Sequence, residues 1–335
     1  MKPVSHKQVP SIDANRDFPD GRMSRAEFLR LAGAAAMTFG VGMPVFGNTA
    51  AQKPSSEKET PMHKRPIPST GELLPVIGCG TWQTFDVGTA SEERAPLAEV
   101  LRILFEAGGS VIDSSPMYGR SEAVVGELLT QQNSHDKAFV ATKVWTQGRE
   151  AGIGQMRRSM QLLQDERIEL MQIHNLLDWR THLPTLRAWK KEGRIRYLGV
   201  THYTASAYDE LEAIMRSEKL DFIQINYSLD DRQAERTLLP LAAERGIAVL
   251  VNRPFGGGTL LRSLVGTPLP PWAGDIECNS WAQILLKYVL SHPAITCAIP
   301  GTSRPKHMAD NCRAGTGVIP DAAMRKQMVA SWGKR

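Results

Sequence analysis

The stretch AGGSVIDSSPMYGRSEAVVGELLTQ (residues 107–131) contains one full unit of the pattern that decides the fold. A helix-length amphipathic segment at 98–107 is closed by Gly108, where a left-handed cap is easiest for glycine. Val111 and Ile112 form a short apolar run that stops at Asp113, and Ser114, Ser115 and Pro116 are turn formers. A second amphipathic segment then runs over 121–131. Helix end, buried strand, polar turn and helix follow one another. Taken alone, Asp113 reads as a cap for the helix near Ser121 and Tyr118 as a residue packed on its flank.

The same unit recurs outward in both directions. Apolar, β-rich segments stand at 76–80, 111–113, 138–143, 169–174, 195–201, 222–226, 247–252 and 295–300. Helix-length amphipathic stretches lie between them, at 98–107, 121–131, 152–163, 183–192, 206–217, 234–244 and 280–290. Strand–helix alternation at about thirty residues implies a parallel sheet with right-handed crossovers. Eight strands favour an α/β fold closed into a (β/α)8 TIM barrel. An open doubly wound sheet would carry a Gly-rich phosphate loop after its first strand, and Gly78-Cys79-Gly80-Thr81-Trp82 lacks the third glycine and an immediate helix. Before it, RPIPSTGELLP (65–75) has a Ser-Thr-Gly turn between apolar stretches and is expected to form a hairpin across the barrel's N-terminal end.

The chain has 335 residues, 42% of them hydrophobic, and can bury a large core. Its net charge is +5, of which residues 1–50 contribute +2. No basic, aromatic-interleaved run appears beyond them, which argues against nucleic-acid binding. Cys79, Cys278, Cys297 and Cys312 are widely spaced, without CxxC pairs or zinc-ligand spacing, and are expected to be buried thiols; export would allow two of them to pair.

Residues 1–50 read as a targeting segment. Ser24-Arg25-Ala26-Glu27-Phe28-Leu29-Arg30 leads into the apolar run LAGAAAMTFGVGMPVFG, which is short for a membrane span, and small residues follow at 47–51. This resembles a twin-arginine signal with Ala26 in place of the second arginine. The resemblance implies the twin-arginine export machinery as a partner and a periplasmic location; retention in the cytoplasm is the alternative if Ala26 disables the signal. Residues 51–63 read as a polar linker and 64–335 as the barrel.

A parallel barrel does its chemistry at the C-terminal ends of its strands. There the sequence puts Asp113 and Tyr118, then Lys143 after Phe139-Val140-Ala141-Thr142, then His174 after Leu170-Met171-Gln172-Ile173. An ordinary tyrosine is a poor acid at neutral pH, and a cation beside it stabilises the phenolate and lowers its pKa. Lys143 is that cation, Asp113 its counter-ion, and His174 a hydrogen-bond donor to a carbonyl oxygen. No side chain supplies hydride, so a reductase built this way needs a nicotinamide cofactor. A metal-dependent hydrolase would want several His/Asp ligands, such as H-x-H on the first strand, and none is there.

From about residue 64 to 311 the chain resembles the aldo/keto reductase family, through GCGTW (78–82), IDSSPMYG (112–119), ATKVW (141–145), LMQIHN (170–175), GVTHY (199–203), IQINYS (223–228), RPFGGG (253–258) and IPGTSRPKHMADN (299–311). The resemblance implies a (β/α)8 barrel that binds NAD(P)H without a Rossmann motif. It also implies a catalytic tetrad of Asp113, Tyr118, Lys143 and His174, and the reduction of an aldehyde or ketone to an alcohol. Thr201, His202 and Gln224 are the expected holders of the nicotinamide carboxamide. Pro254, Gly256, Gly301, Thr302, Ser303, Arg304 and Asn311 are further cofactor-binding candidates. The family's stacking aromatic is replaced by Asn252, with Phe255 or Tyr227 as substitutes. Gly301 and His307 stand where members that prefer NADPH often carry cations, and Arg304 and Lys306 are close enough to replace them, so NADPH is expected, with NADH the alternative. Trp82 and Trp145, with Trp179 as a further candidate, are expected to wall a small carbonyl substrate; no metal is implied. A nicotinamide-binding sensor with little turnover is the rival reading.

Overall fold

The computed structural model describes residues 60–333. The described chain opens with an antiparallel hairpin, β1 (Lys64–Pro66) and β2 (Leu73–Pro75), in which Arg65 pairs with Leu74. Eight strands follow: β3 (Cys79–Gly80), β4 (Val111–Asp113), β5 (Phe139–Val144), β6 (Ile168–Ile173), β7 (Ile195–His202), β8 (Phe222–Asn226), β9 (Ala248–Asn252) and β10 (Cys297–Ala298). They form one sheet in sequence order, each strand parallel to the next. Its two edges meet through parallel bridges Ile77–Ala298 and Gly80–Gly301. Gly78 N donates to Ala298 O at 2.9 Å and Ala298 N to Val76 O at 2.9 Å. The barrel is thereby closed, which removes the unpaired edges an open sheet would expose.

Helices α1 (Ser91–Glu106), α2 (Ser121–Gln131), α3 (Arg149–Leu163), α4 (Trp179–Lys191), α5 (Tyr208–Ser217) and α6 (Leu238–Arg245) each return the chain from one strand to the next. Between β9 and β10 lie α7 (Thr259–Ser263) and α8 (Trp281–Leu290), and α9 (Pro305–Arg313) and α10 (Ala322–Trp332) complete the described chain.

The alternation of strand side chains divides the apolar residues into two cores. Ile112, Val140, Met171, Val200, Ile223 and Val249 face outward into the layer between sheet and helices. Val111, Phe139, Leu170, Tyr197, Phe222 and Leu250 face inward. Ile67 of the hairpin turn is fully buried against this inner set, so the hairpin plugs the N-terminal end with apolar side chains, as expected. Inward positions nearer the C-terminal ends of these strands are polar, namely Asp113, Lys143, Gln172 and Gln224. The fold thus gathers the Asp113–Lys143 ion pair and two amides at the C-terminal mouth.

Met62 is buried in the outer core, and His63 N bonds Gly315 O at 2.8 Å, so the end of the expected linker is already tied down. The targeting segment at 1–50 lies outside the described residues. The four cysteines are buried and unbonded to one another, as expected of core thiols.

Candidate active site

At the mouth, Lys143 Nζ lies 2.8 Å from Asp113 Oδ2 and 2.6 Å from Ser114 O. Both charged side chains are buried, an arrangement that persists only when nearly every lone pair and proton is used. That condition is met: Asp113 Oδ1 accepts from Gln224 Nε2 at 2.7 Å and from Gln172 Nε2 at 3.3 Å. Asp113 therefore caps no helix. Burial pulls the Lys143 pKa down, but Asp113 and Tyr118 together outweigh it and leave it above the ordinary lysine value.

Tyr118 is carried over the mouth by a tight turn, with Tyr118 N bonded to Ser115 O at 3.0 Å. The turn needs Gly119, whose φ is +59° and whose missing Cβ would sit 2.3 Å from the Asp86 carboxylate. Asp86 also accepts the Arg120 N–H at 3.0 Å, so the loop after β3 fastens the tyrosine turn. The Lys143 ammonium is 5.0 Å from the centre of the Tyr118 ring. Here the sequence-based expectation of a lowered tyrosine pKa is corrected. Burial raises it more than Lys143 lowers it, and the phenol stays protonated at neutral pH.

His174 is the first residue of a short turn after β6, edge-on to Tyr118 with ring centres 5.9 Å apart. Burial, helped by the Lys143 charge, pulls its pKa down to about 3, so the imidazole is neutral at physiological pH. Its Nδ1 faces Ser115 Oγ at 3.1 Å. Together these four side chains offer a protonated phenol, a fixed ammonium and a neutral imidazole over one opening. That combination can protonate and orient a carbonyl oxygen.

The cofactor candidates stand at or after the C-terminal ends of β7 to β10. Thr201 Oγ1 accepts Asn175 N at 3.2 Å, and half-buried His202 accepts Thr204 N at 3.2 Å. Gln224 is more central than expected. Its amide nitrogen is committed to Asp113, and it is Gln172, the other amide on Asp113, whose side-chain oxygen is buried without a partner among the described residues. Asn252 Oδ1 is likewise buried without a partner. Tyr227 cannot stack on a ring in the mouth: it is fully buried behind the sheet, its hydroxyl 2.7 Å from Glu235 Oε1, and Phe255 packs against the same outer core. Pro254 is buried beside Gly256, whose φ of +58° serves a turn. Past β10, Gly301 bridges Gly80 and Thr302 Oγ1 accepts Arg304 N at 3.0 Å. Ser303, Arg304 and Lys306 are exposed around the start of α9, and among the described residues neither cation has an acidic partner. Asn311 is buried within that helix.

Trp82 and Trp145 are 49% and 41% exposed, large values for indoles and fitting for a wall that meets a ligand. The Trp145 ring lies 6.2 Å from His174. Its backbone is clamped on both sides by Gln155, which accepts Trp145 N at 2.5 Å and donates to Trp145 O at 3.2 Å. His182 holds Thr146 O at 2.7 Å and Asp178 holds Gly148 N at 2.7 Å. Trp179, by contrast, donates to Glu210 on α5 and packs in the helical layer.

The model of the family described as aldo/keto reductase matches residues 76–327. The chain belongs to the aldo/keto reductase family. Within it, the chain is 29% identical over 262 residues to the methylglyoxal reductase YeaE of Escherichia coli (strain K12), covering 75% of this chain and 89% of that one. It is 28% identical over 258 residues to an NADH-specific methylglyoxal reductase of the same organism, covering 66% and 76%. The crystal structure of an aldo/keto reductase from Klebsiella pneumoniae in complex with NADP and acetate superimposes with a TM-score of 0.67 at 23% identity, covering 78% of this chain and 93% of that one. This last likeness speaks for the barrel itself.

Beyond the four residues that motif reasoning marks in this aldo/keto reductase, the structure adds Ser115, Gln172 and Gln155. Gln172 had a signal in the sequence, since it stands two residues before His174 on an inward-facing strand position. Ser115 lies inside the IDSSPMYG motif, but its partner lies across the sheet. Gln155 sits on a helix and offers no sequence signal for a contact with Trp145. Among the described residues no group of three or more His, Cys, Asp or Glu could hold a metal ion, and no helix is long and apolar enough to cross a membrane.

Proposed function

We propose that this protein reduces the carbonyl group of a small aldehyde or ketone to an alcohol, with NADPH as its cofactor. The observation that carries the reading is the buried Lys143, shared between Asp113 and Tyr118 beside a neutral His174. A nicotinamide dinucleotide fits the residues present. Among the described residues, Gln172 and Asn252 have buried amide oxygens without a partner, suited to a carboxamide N–H, and Arg304 and Lys306 stand without acidic partners beside a helix N-terminus, suited to a phosphate. We assign Thr201, His202, Thr302, Ser303 and the backbone at Gly256 and Gly301 to the stretch of cofactor between them.

When bound, the cofactor supplies the hydride. The chain's own residues handle the proton and the oxygen. Tyr118 donates its phenolic proton to the carbonyl oxygen. Lys143 then stabilises the phenolate left behind, and Asp113 keeps Lys143 charged and aimed. His174, neutral, donates an N–H to the same oxygen and orients it, while Trp82 and Trp145 exclude water from one side. The two methylglyoxal reductases among the relatives support a small, exposed carbonyl as the substrate class, and one of them being NADH-specific keeps NADH as a second cofactor to test.

A cofactor sensor would have no need of a positioned proton donor, and the intact tetrad favours turnover. Fluorescence titration with NADPH and NADH, followed by consumption of the bound nucleotide on adding methylglyoxal, separates the two. Binding without consumption, across several aldehydes, supports the sensor and ends the reductase reading.

Export is part of the same proposal. The pattern at 24–30 and the apolar run after it support delivery of the folded barrel to the periplasm by the twin-arginine machinery, with Ala26 the weak point. Fractionation of cells making the native chain and Ala26→Arg tests this. Finding both only in the cytoplasm ends the export reading.

A further inference from the structure

Ser115 Oγ lies 3.1 Å from His174 Nδ1, and its position leaves little freedom in how the two share their protons. Ser115 is fully buried. Its oxygen also accepts the backbone N–H of Met117 at 3.4 Å, and among the described residues its hydroxyl proton has no acceptor other than His174 Nδ1. A buried hydroxyl proton ordinarily finds a lone pair. If Nδ1 is bare, Ser115 donates to it, Met117 donates to Ser115, and each group is paired. If Nδ1 carried the imidazole proton, Ser115 would accept twice and its own proton would be stranded in the interior.

The other ring nitrogen is in the opposite situation. His174 Nε2 has no hydrogen-bond partner among the described residues, and the ring sits between Tyr118 and Trp145 at the mouth. We propose that Ser115 is a positioning residue that fixes His174 as its Nε2–H tautomer, so that Nε2 presents the proton to the substrate oxygen. Because burial and the Lys143 charge keep the ring neutral, there is one imidazole proton to place, and the Ser115 hydroxyl places it. A stranded buried donor biases such an equilibrium by about five- to a hundredfold. The mechanism requires a donor at the mouth and a bare nitrogen behind it, and the Ser115 bond supplies that asymmetry. This assignment rests on the carbonyl-reduction reading for its purpose, but not for its observation.

The test is a long-range proton–nitrogen correlation spectrum of the full chain labelled with nitrogen-15, with and without NADPH, the His174 signals being assigned by their loss in His174→Gln. The wild-type ring should show a protonated Nε2 and an unprotonated Nδ1. In Ser115→Ala the tautomer ratio should fall at least about fivefold. Its kcat for methylglyoxal should fall in proportion to the lost Nε2–H fraction, with KM changed less than about twofold, the mark of an interaction strengthened in the transition state. Ser115→Thr, which keeps the hydroxyl, should restore both. A wild-type Nδ1–H ring, or an unaltered Nε2–H ring in Ser115→Ala, overturns the proposal, and the wild-type spectrum alone can overturn it even if Ser115→Ala folds poorly. An Nε2–H ring in a protein that turns over no carbonyl would refute the reductase reading and leave the tautomer assignment standing.

Discussion

Lys143 Nζ stands 2.8 Å from Asp113 Oδ2 with both side chains out of solvent, and each is the condition for the other's charge. Removing one partner leaves an uncompensated charge inside the barrel. Lys143→Met should therefore lose about 3–5 kcal/mol of stability, measured by denaturant unfolding. Asp113→Asn combined with Lys143→Met should regain most of that loss while remaining inactive. A double variant no more stable than the single would show that the pair is not coupled.

The low pKa of His174 ties stability to acid. Its folded value, about 3, lies below the ordinary 6.5, so the neutral form is the one the fold accommodates. The sign follows from linkage. The contribution is full above the unfolded value, falls as pH drops from about 6.5 towards about 3, and is gone below that. His174→Gln cannot take up the proton. Its Tm should decline less steeply than the wild-type Tm over that window, with His292, pulled down to about 4 by burial and Arg325, contributing equally to both proteins. Parallel Tm curves would contradict a buried neutral His174.

Arg304 and Lys306 are exposed, near one helix N-terminus, and have no acidic partner among the described residues. A charge-assisted bond to a phosphate contributes about 1.5–3 kcal/mol. Arg304→Ala with Lys306→Ala should thus weaken NADPH binding by roughly ten- to a hundredfold and NADH binding by much less. Equal losses for both nucleotides, read by fluorescence titration, would remove these residues from the choice of cofactor.

Much of the barrel was legible in the chain. Strand β4, strand β8 and helix α2 coincide with their sequence limits, because turn formers or a change of hydrophobic period bound each one. The starts of α1 and α4 were not legible. Each begins well before the amphipathic pattern suggests and carries a proline, Pro96 or Pro184, at its sixth residue. The bond each proline forfeits belongs to an exposed residue, Glu92 or Arg180, whose carbonyl water can satisfy. The tetrad could be named because strand ends share one rim. The role of its supports could not, since Gln172 and Gln224, though marked by their inward strand positions or motif, reach Asp113 only through the barrel's register. The direction of the Tyr118 shift was likewise hidden, because the charge of Lys143 is visible in the sequence and the depth of burial is not. Tyr227 is an instructive correction: Asn226 faces inward, so alternation alone turns the next residue to the outer core.

The central claim is that the Tyr118 phenol, held beside Lys143, protonates a carbonyl oxygen. Steady-state consumption of NADPH with methylglyoxal, comparing the full chain with Tyr118→Phe, tests it most directly. The phenylalanine keeps the ring packed on His174 and removes one oxygen, so kcat should fall by about 10² to 10⁴ while Tm and NADPH affinity stay close to wild type. A Tyr118→Phe protein that turns over within a few-fold of wild type would contradict the claim.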